Sequence, residues 1–199
     1  PRDLEMPDQT VTIDYLESTE TPDGLVGIGL GGYEVGFPAA PYAPHFARAL
    51  ALGLRSLPHA GETEGAHSVR SALDDLRAER IGHGVRCLED EALVAELVDR
   101  NIMLEVCPTS NDLLQVVEHM SDHPLPALRH AGLRVCLNTD DPGWFATDLN
   151  TELCIATDVL GVSLSDHLDL QRDAVAASFA PDAVKARIAA ELAAVSSPD

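Results

Sequence analysis

The chain has 199 residues, 45% hydrophobic and only 4% aromatic, which suits one sizeable aliphatic α/β core better than an all-β sandwich. Its formal net charge is −20, with a single lysine, Lys185. A surface this acidic repels phosphate backbones and anionic lipid, which excludes a basic-groove nucleic-acid binder and argues against a membrane-surface partner.

No run is long enough to cross a bilayer, and residues 1–9 lack the basic and apolar parts of a signal peptide. Cys87, Cys107, Cys136 and Cys154 form no Cys-x-x-Cys pair. They read as buried thiols of a cytoplasmic protein rather than a disulfide framework.

The acidic segment 3–23 is weakly patterned and predicts the end of a helix and a loop. A first strand is expected at 25–30, running into Gly29-Leu30-Gly31-Gly32-Tyr33-Glu34. Its glycines suggest a dinucleotide fingerprint. However, Gly36, Pro38 and Pro41 follow where a helix should open, so a dinucleotide site is not supported. A helix over 44–52 ends at Gly53, a left-handed cap. The strand 54–58 leads into His59-Ala60-Gly61-Glu62, and a helix over 67–77 follows. The strand 80–82 ends in Gly82-His83-Gly84, and 89–100 carries apolar residues at helical spacing. The strand 102–107 runs into Pro108-Thr109-Ser110-Asn111. A helix over 125–131 is capped by Gly132. The strand 133–137 delivers Asn138-Thr139-Asp140-Asp141-Pro142. Beyond it the pattern is helical over 149–160, 165–178 and 183–195.

The five strands begin at residues 25, 54, 80, 102 and 133, giving steps of 29, 26, 22 and 31 residues. Such steps fit parallel βα units of roughly 30 residues and vary too much for a solenoid repeat. The architecture is then a (β/α) barrel or an open doubly wound sheet. In barrels the active site is built at the carboxyl ends of the strands, where this chain concentrates Gly, His and acids.

Asp140 and Asp141 follow a strand whose alternating pleat aims them in different directions, so one can bind a metal while the other faces a substrate. Turn chemistry is the other reading of Asn, Asp and Pro at a strand end. His59 could be a metal ligand and Glu62 a proton donor. The alternative is a core histidine bonded to a loop carbonyl. His83, between two glycines, suits close approach to water or metal, or belongs to a tight turn. Adjacent acids repel unless a cation lies between them, and imidazole with one carboxylate suits zinc. His45, His67, His119, His123, His130 and His167 read as surface or capping residues. Trp144 and Phe145 wall a pocket or pack in the core. Cys107 has no evident base nearby to make it a nucleophile.

The four runs His-Ala-Gly-Glu (59–62), Arg-Ile-Gly-His-Gly (80–84), Glu-Val-Cys-Pro-Thr-Ser-Asn (105–111) and Asn-Thr-Asp-Asp-Pro (138–142) resemble, in order and spacing, the adenosine deaminase family of zinc aminohydrolases. The resemblance implies a (β/α)8 TIM-type barrel and a Zn2+ cofactor. It assigns His59 and Asp140 to zinc, and Glu62 to protonation of the purine N1. It assigns His83 to orienting or deprotonating the water that zinc binds, Asp141 to the purine N7, and the backbone of Gly32 to the N3 side. The other zinc deaminase class needs P-C-x-x-C, which the chain lacks.

Two departures stand out. The family's first strand carries His-x-His, which supplies two more zinc ligands, and no His-x-His occurs in this chain. By the resemblance the chain covers barrel strands four to eight, a single partial barrel domain over 1–199. Such a piece is expected to be poorly stable and inactive on its own, with unpaired edges. Adenosine enzymes read Asp-Leu-Ala-Gly-Asp-Glu where Gly29 to Glu34 stand here. The implied reaction is deamination of a small-molecule purine nucleoside, adenosine by default. Aminodeoxyfutalosine, more weakly adenine, and an inactive remnant are the alternatives.

Overall fold

The structure, a computed structural model, describes Arg2 and residues 10–195. Among the described residues it has ten α-helices, three short 3-10 helices and six short strands, and contacts gather the chain into two compact units, Pro1–Leu93 and Val94–Asp199. No helix among the described residues is long and apolar enough to cross a membrane.

The first unit holds α1 (Val11–Ser18), β1 (Gly27–Ile28), α2 (Ala43–Ala51), β2 (Arg55–Ser56), β3 (His59–Ala60), α3 (Ala66–Asp74) and β4 (Arg80–His83). Helix α1 falls within the segment expected to be a helix end and a loop, of which residues 3–9 lie outside the described residues. All pairings here are parallel. Gly27 and Ile28 lie opposite Arg55 and Ser56, and His59 and Ala60 opposite Gly82 and His83.

The segment 55–60 is one central strand with two neighbours. On one side the His59 N–H donates to the Leu30 carbonyl at 2.9 Å, and on the other the Gly84 N–H donates to the Ala60 carbonyl at 2.9 Å. The strand therefore runs two residues beyond its expected end. Pro58 divides it into β2 and β3 because proline has no N–H for the ladder. Its carbonyl still accepts from the Gly82 N–H at 3.0 Å. No helix opens after β1; the chain first loops through 31–39, as the rejection of a dinucleotide turn requires.

Ile28 packs against two apolar clusters, one of Ile13, Leu16, Ala49 and Leu54, the other of Leu30, Ala39, Phe46 and Leu76. The Arg48 guanidinium on α2 binds Glu17 at 2.8 Å and Asp14 on α1.

After α4 (Glu91–Asp99), the chain continues with β5 (Met103–Val106), α5 (Pro108–Leu113), α6 (Leu125–His130), β6 (Arg134–Leu137), α7 (Pro142–Phe145), α8 (Leu149–Asp158), α9 (Leu164–Ala177) and α10 (Asp182–Ala193). β5 and β6 pair in parallel, Met103 opposite Arg134 through Val106 opposite Leu137. Met103, Leu104, Val106, Val135, Leu137, Leu128 and Leu170 are buried. Gly53 and Gly132 take φ of 82° and 81°, the left-handed caps foreseen for α2 and α6. Helix α9 opens with a capping box of Ser163 and Asp166.

The structure decides or corrects three expectations. Of its two readings, surface or capping, His123 takes the second, and it is buried. Its Nε2 lies 3.1 Å from Asn111 Oδ1, and its Nδ1 accepts the Leu125 N–H at 3.1 Å, so the imidazole caps an otherwise orphaned donor at the start of α6. Cys154 is exposed on α8, unlike Cys87, Cys107 and Cys136. Trp144 is 87% exposed and does not pack in the core of its unit.

Candidate active site

The strand tips of the first unit bring together three of the residues singled out from the sequence. His59, half-buried on β3, stands over Gly82 of β4, and its ring meets that of His83 edge-on, with centroids 5.1 Å apart at 81°. The Arg2 guanidinium binds the His59 carbonyl and fixes its backbone. The ring nitrogens of His59 make no hydrogen bond among the described residues, which leaves the imidazole open to a ligand.

His83 is 1% exposed and lies at φ 61°, with Gly84 at 69° behind it. Two successive left-handed residues turn the chain sharply at the tip of β4. A non-glycine residue holds that conformation at a cost of order 1–3 kcal/mol, a strain common at functional sites. Burial first, and then the neighbouring His59, push the His83 imidazole down to about 3, so it is neutral at ordinary pH. Its Nε2 lies 3.4 Å from Oε1 of Glu62, which is itself buried.

Glu62 sits in a loop whose backbone is anchored by Glu34. The Glu34 carboxylate, 2% exposed, accepts the N–H groups of Glu62, Thr63 and Glu64 at 3.1, 3.0 and 2.8 Å. Sequence reasoning quoted Glu34 as the last residue of a strand-end run and gave it no role. The available signal was an acid retained after Gly-Gly-Tyr at a strand tip. Its donors lie 28–30 residues away and are invisible in the sequence. Gly32 is exposed at φ 97°, a conformation that favours glycine and leaves its backbone accessible.

In the second unit, Asp140 is half-buried beyond β6 at φ 55°, again left-handed, and its Oδ2 accepts the Ser110 hydroxyl at 2.8 Å. Asp141 is exposed, and its carbonyl accepts the N–H groups of Trp144 and Phe145 at 2.9 Å to start α7. The segment is thus a tight turn, and its two acids lie in different settings, Asp140 half-buried and Asp141 exposed. Glu152, buried on α8, accepts the Thr109 N–H at 3.1 Å and the Thr147 hydroxyl at 2.6 Å, which braces the chain on either side of these acids. Neutral imidazole and carboxylate are the donor types a divalent cation such as zinc takes, and the uncommitted ring of His59 fits that role.

Comparison with known proteins bears on these tips. A family model described as adenosine deaminase matches residues 2–195. An aminodeoxyfutalosine deaminase of Streptomyces avermitilis is 47% identical over 95% of this chain and 52% of its own length. An adenine deaminase of Sphingopyxis alaskensis is 44% identical over 82% of this chain and 48% of its own. The crystal structure of an adenine deaminase from Arthrobacter aurescens superposes with a TM-score of 0.88 at 39% identity, over 92% of this chain and 55% of that one. The chain spans about half the length of the curated relatives it matches. Its fold is α/β of the (β/α)8 barrel type, in part.

Proposed function

The chain belongs to the adenosine deaminase family, and from that premise we propose that the whole protein is a metal-dependent hydrolase that removes the exocyclic amine of a 6-aminopurine. The observation that carries this reading is the buried pair of Glu62 and His83, 3.4 Å apart beside the open imidazole of His59. An acid, a neutral base and a metal-ligating ring at adjacent strand tips are the parts that hydrolytic deamination needs.

In this reading His59 and Asp140 each act as a metal ligand, with zinc as the ion. Catalytic zinc takes three or more protein ligands, so the activity is assigned to the whole protein. The ion, when bound, supplies Lewis acidity and lowers the pKa of water toward about 7. The remaining roles fall to side chains. Glu62 delivers a proton to the ring nitrogen N1, which makes C6 accept the attacking water. His83, held neutral by burial, takes or orients a proton of that water. Ser110 holds one oxygen of Asp140 and so fixes the direction of its carboxylate. Asp141, exposed next to it in sequence, contacts N7, and the open backbone of Gly32 meets the N3 side. Ammonia leaves, and the amine carbon becomes a carbonyl.

For the substrate we favour an aminodeoxyfutalosine-type nucleoside over adenosine. Gly29 and the half-exposed Tyr33 stand where adenosine enzymes carry acids, and two aminodeoxyfutalosine deaminases are 47% and 48% identical over 95% and 86% of this chain. Adenine is the second reading, favoured by the 39% identical adenine deaminase structure. Ammonia release by the whole protein from aminodeoxyfutalosine, adenine and adenosine distinguishes them. The highest kcat/KM on aminodeoxyfutalosine is the expected result; a higher value on adenine or adenosine overturns the substrate assignment, and no release from any of the three overturns the reaction.

A further inference from the structure

We infer that Glu34 is a positioning residue for the proton donor: its carboxylate, acting through three consecutive backbone N–H groups, aims Glu62 at the reacting ring. The inference rests on the functional reading of Glu62 given above.

The loop from Gly61 to Gly65 leaves β3 and enters α3. The N–H groups of Glu62, Thr63 and Glu64 converge on the single oxygen Oε2 of Glu34, at 3.1, 3.0 and 2.8 Å. Three successive N–H groups directed at one anion form a concave nest, which specifies the local backbone dihedrals. The first of these donors belongs to Glu62 itself, so the acceptor sets the direction in which its side chain leaves the backbone. Gly61 tightens the same turn: it lies at φ 67°, and a β-carbon there would come within 2.3 Å of a Val69 methyl.

The acceptor is itself held firmly. Glu34 Oε1 accepts the Ser68 hydroxyl at 3.0 Å and faces the Arg2 guanidinium at 3.9 Å, and Ser68 and Arg2 are also buried. A carboxylate anchored by α3 and by Arg2 thus fixes a loop that would otherwise have three orphaned donors. Among the described residues no hydrogen bond or ion pair joins Glu34 to His83. The effect of Glu34 reaches the chemistry through the backbone of Glu62, whose Oε1 meets His83 Nε2 at 3.4 Å.

The test compares Glu34→Gln, Glu34→Leu and Ser68→Ala in the whole protein. The glutamine amide keeps an oxygen for the three N–H groups and can turn its NH2 toward the Ser68 hydroxyl oxygen. Leucine fills the space and accepts nothing. Misplacement of a catalytic group by about 1 Å costs on the order of 100-fold, so Glu34→Leu is expected to lower kcat by roughly that factor while KM changes by less than about threefold. Glu34→Gln and Ser68→Ala are expected to keep kcat within roughly tenfold of the parent.

Amide hydrogen exchange at Glu62, Thr63 and Glu64, read independently of activity, should accelerate in Glu34→Leu and stay slow in Glu34→Gln. A protein that deaminates nothing but shows this exchange pattern defeats the proposed function and leaves only the hold of Glu34 on the loop backbone standing. Unchanged exchange in Glu34→Leu, a rise in KM at constant kcat, or Glu34→Gln losing as much kcat as Glu34→Leu with its loop amides still protected each overturns the inference. Should Glu34→Leu not fold, Glu34→Ala, which also accepts nothing and leaves room for water, is read in its place against the same outcomes.

Discussion

Gly82 lies directly against the imidazole of His59: a β-carbon at residue 82 would sit 2.4 Å from Cδ2 of that ring and 3.1 Å from its Nε2. Glycine at this position is a condition for seating the ring, because every other side chain collides with it. Gly82→Ala is therefore expected to displace His59 with little effect on the rest of the core. In the whole protein, activity should fall by about 100-fold, in line with the cost of small misplacements, and bound metal should fall with it. Normal metal content and activity in Gly82→Ala would refute the assignment of His59 as a ligand.

Glu62 and His83 divide the proton work between them in this account. Glu62→Gln keeps the shape and the backbone N–H that Glu34 holds, but removes the transferable proton. General acid catalysis of this kind contributes about 10²–10⁴-fold, and a loss of kcat in that range is expected with metal content unchanged. Loss of metal in Glu62→Gln would instead make Glu62 part of the metal site.

The extent to which the sequence revealed these features varied with the range of the interactions. The parallel βα succession was legible, since each strand is a short apolar run closed by glycine or an acid. His59, Glu62 and His83 were singled out because chemistry-bearing residues recur at those strand ends. The continuation of the central strand through His59 and Ala60 was missed because Pro58 resembles a stop, yet its carbonyl still pairs. Helices α5 and α7 were not foreseen, because each is only six or four residues long and opens on a proline, Pro108 or Pro142. Proline at the first helical position is preorganised for a helix, but a piece so short depends on tertiary partners such as Glu152. Turns at His83 and Asp140 were among the readings the sequence offered, but the partners of Glu34 were not legible, because they lie 28–30 residues away along the chain.

His123 offers a pH test remote from the proposed chemistry. Burial pushes its imidazole down to about 4, and the Leu125 N–H occupies the Nδ1 lone pair that a second proton would take. The folded-state value lies below the unfolded one, so between them the unfolded chain binds a proton that the folded chain does not. This contribution is fully present above pH ~6.5 and is lost as pH falls toward 4, at about 1.4 kcal/mol per pH unit and on the order of 3 kcal/mol in all. Urea unfolding of the whole protein at pH 7.5 and 4.5 measures it. His123→Gln should lose less stability on acidification than the parent, although it starts lower at pH 7.5. Identical acid losses in the two proteins would remove His123 from the account.

The most direct test of the central claim is ammonia release from 6-aminopurine substrates by the whole protein, stripped of metal by a chelator and then reloaded with zinc, with His59→Ala alongside. The account predicts that stripping abolishes release, that zinc restores it in the parent, and that zinc restores nothing in His59→Ala. Full activity in the stripped protein, or equal activity in His59→Ala and the parent, would contradict it.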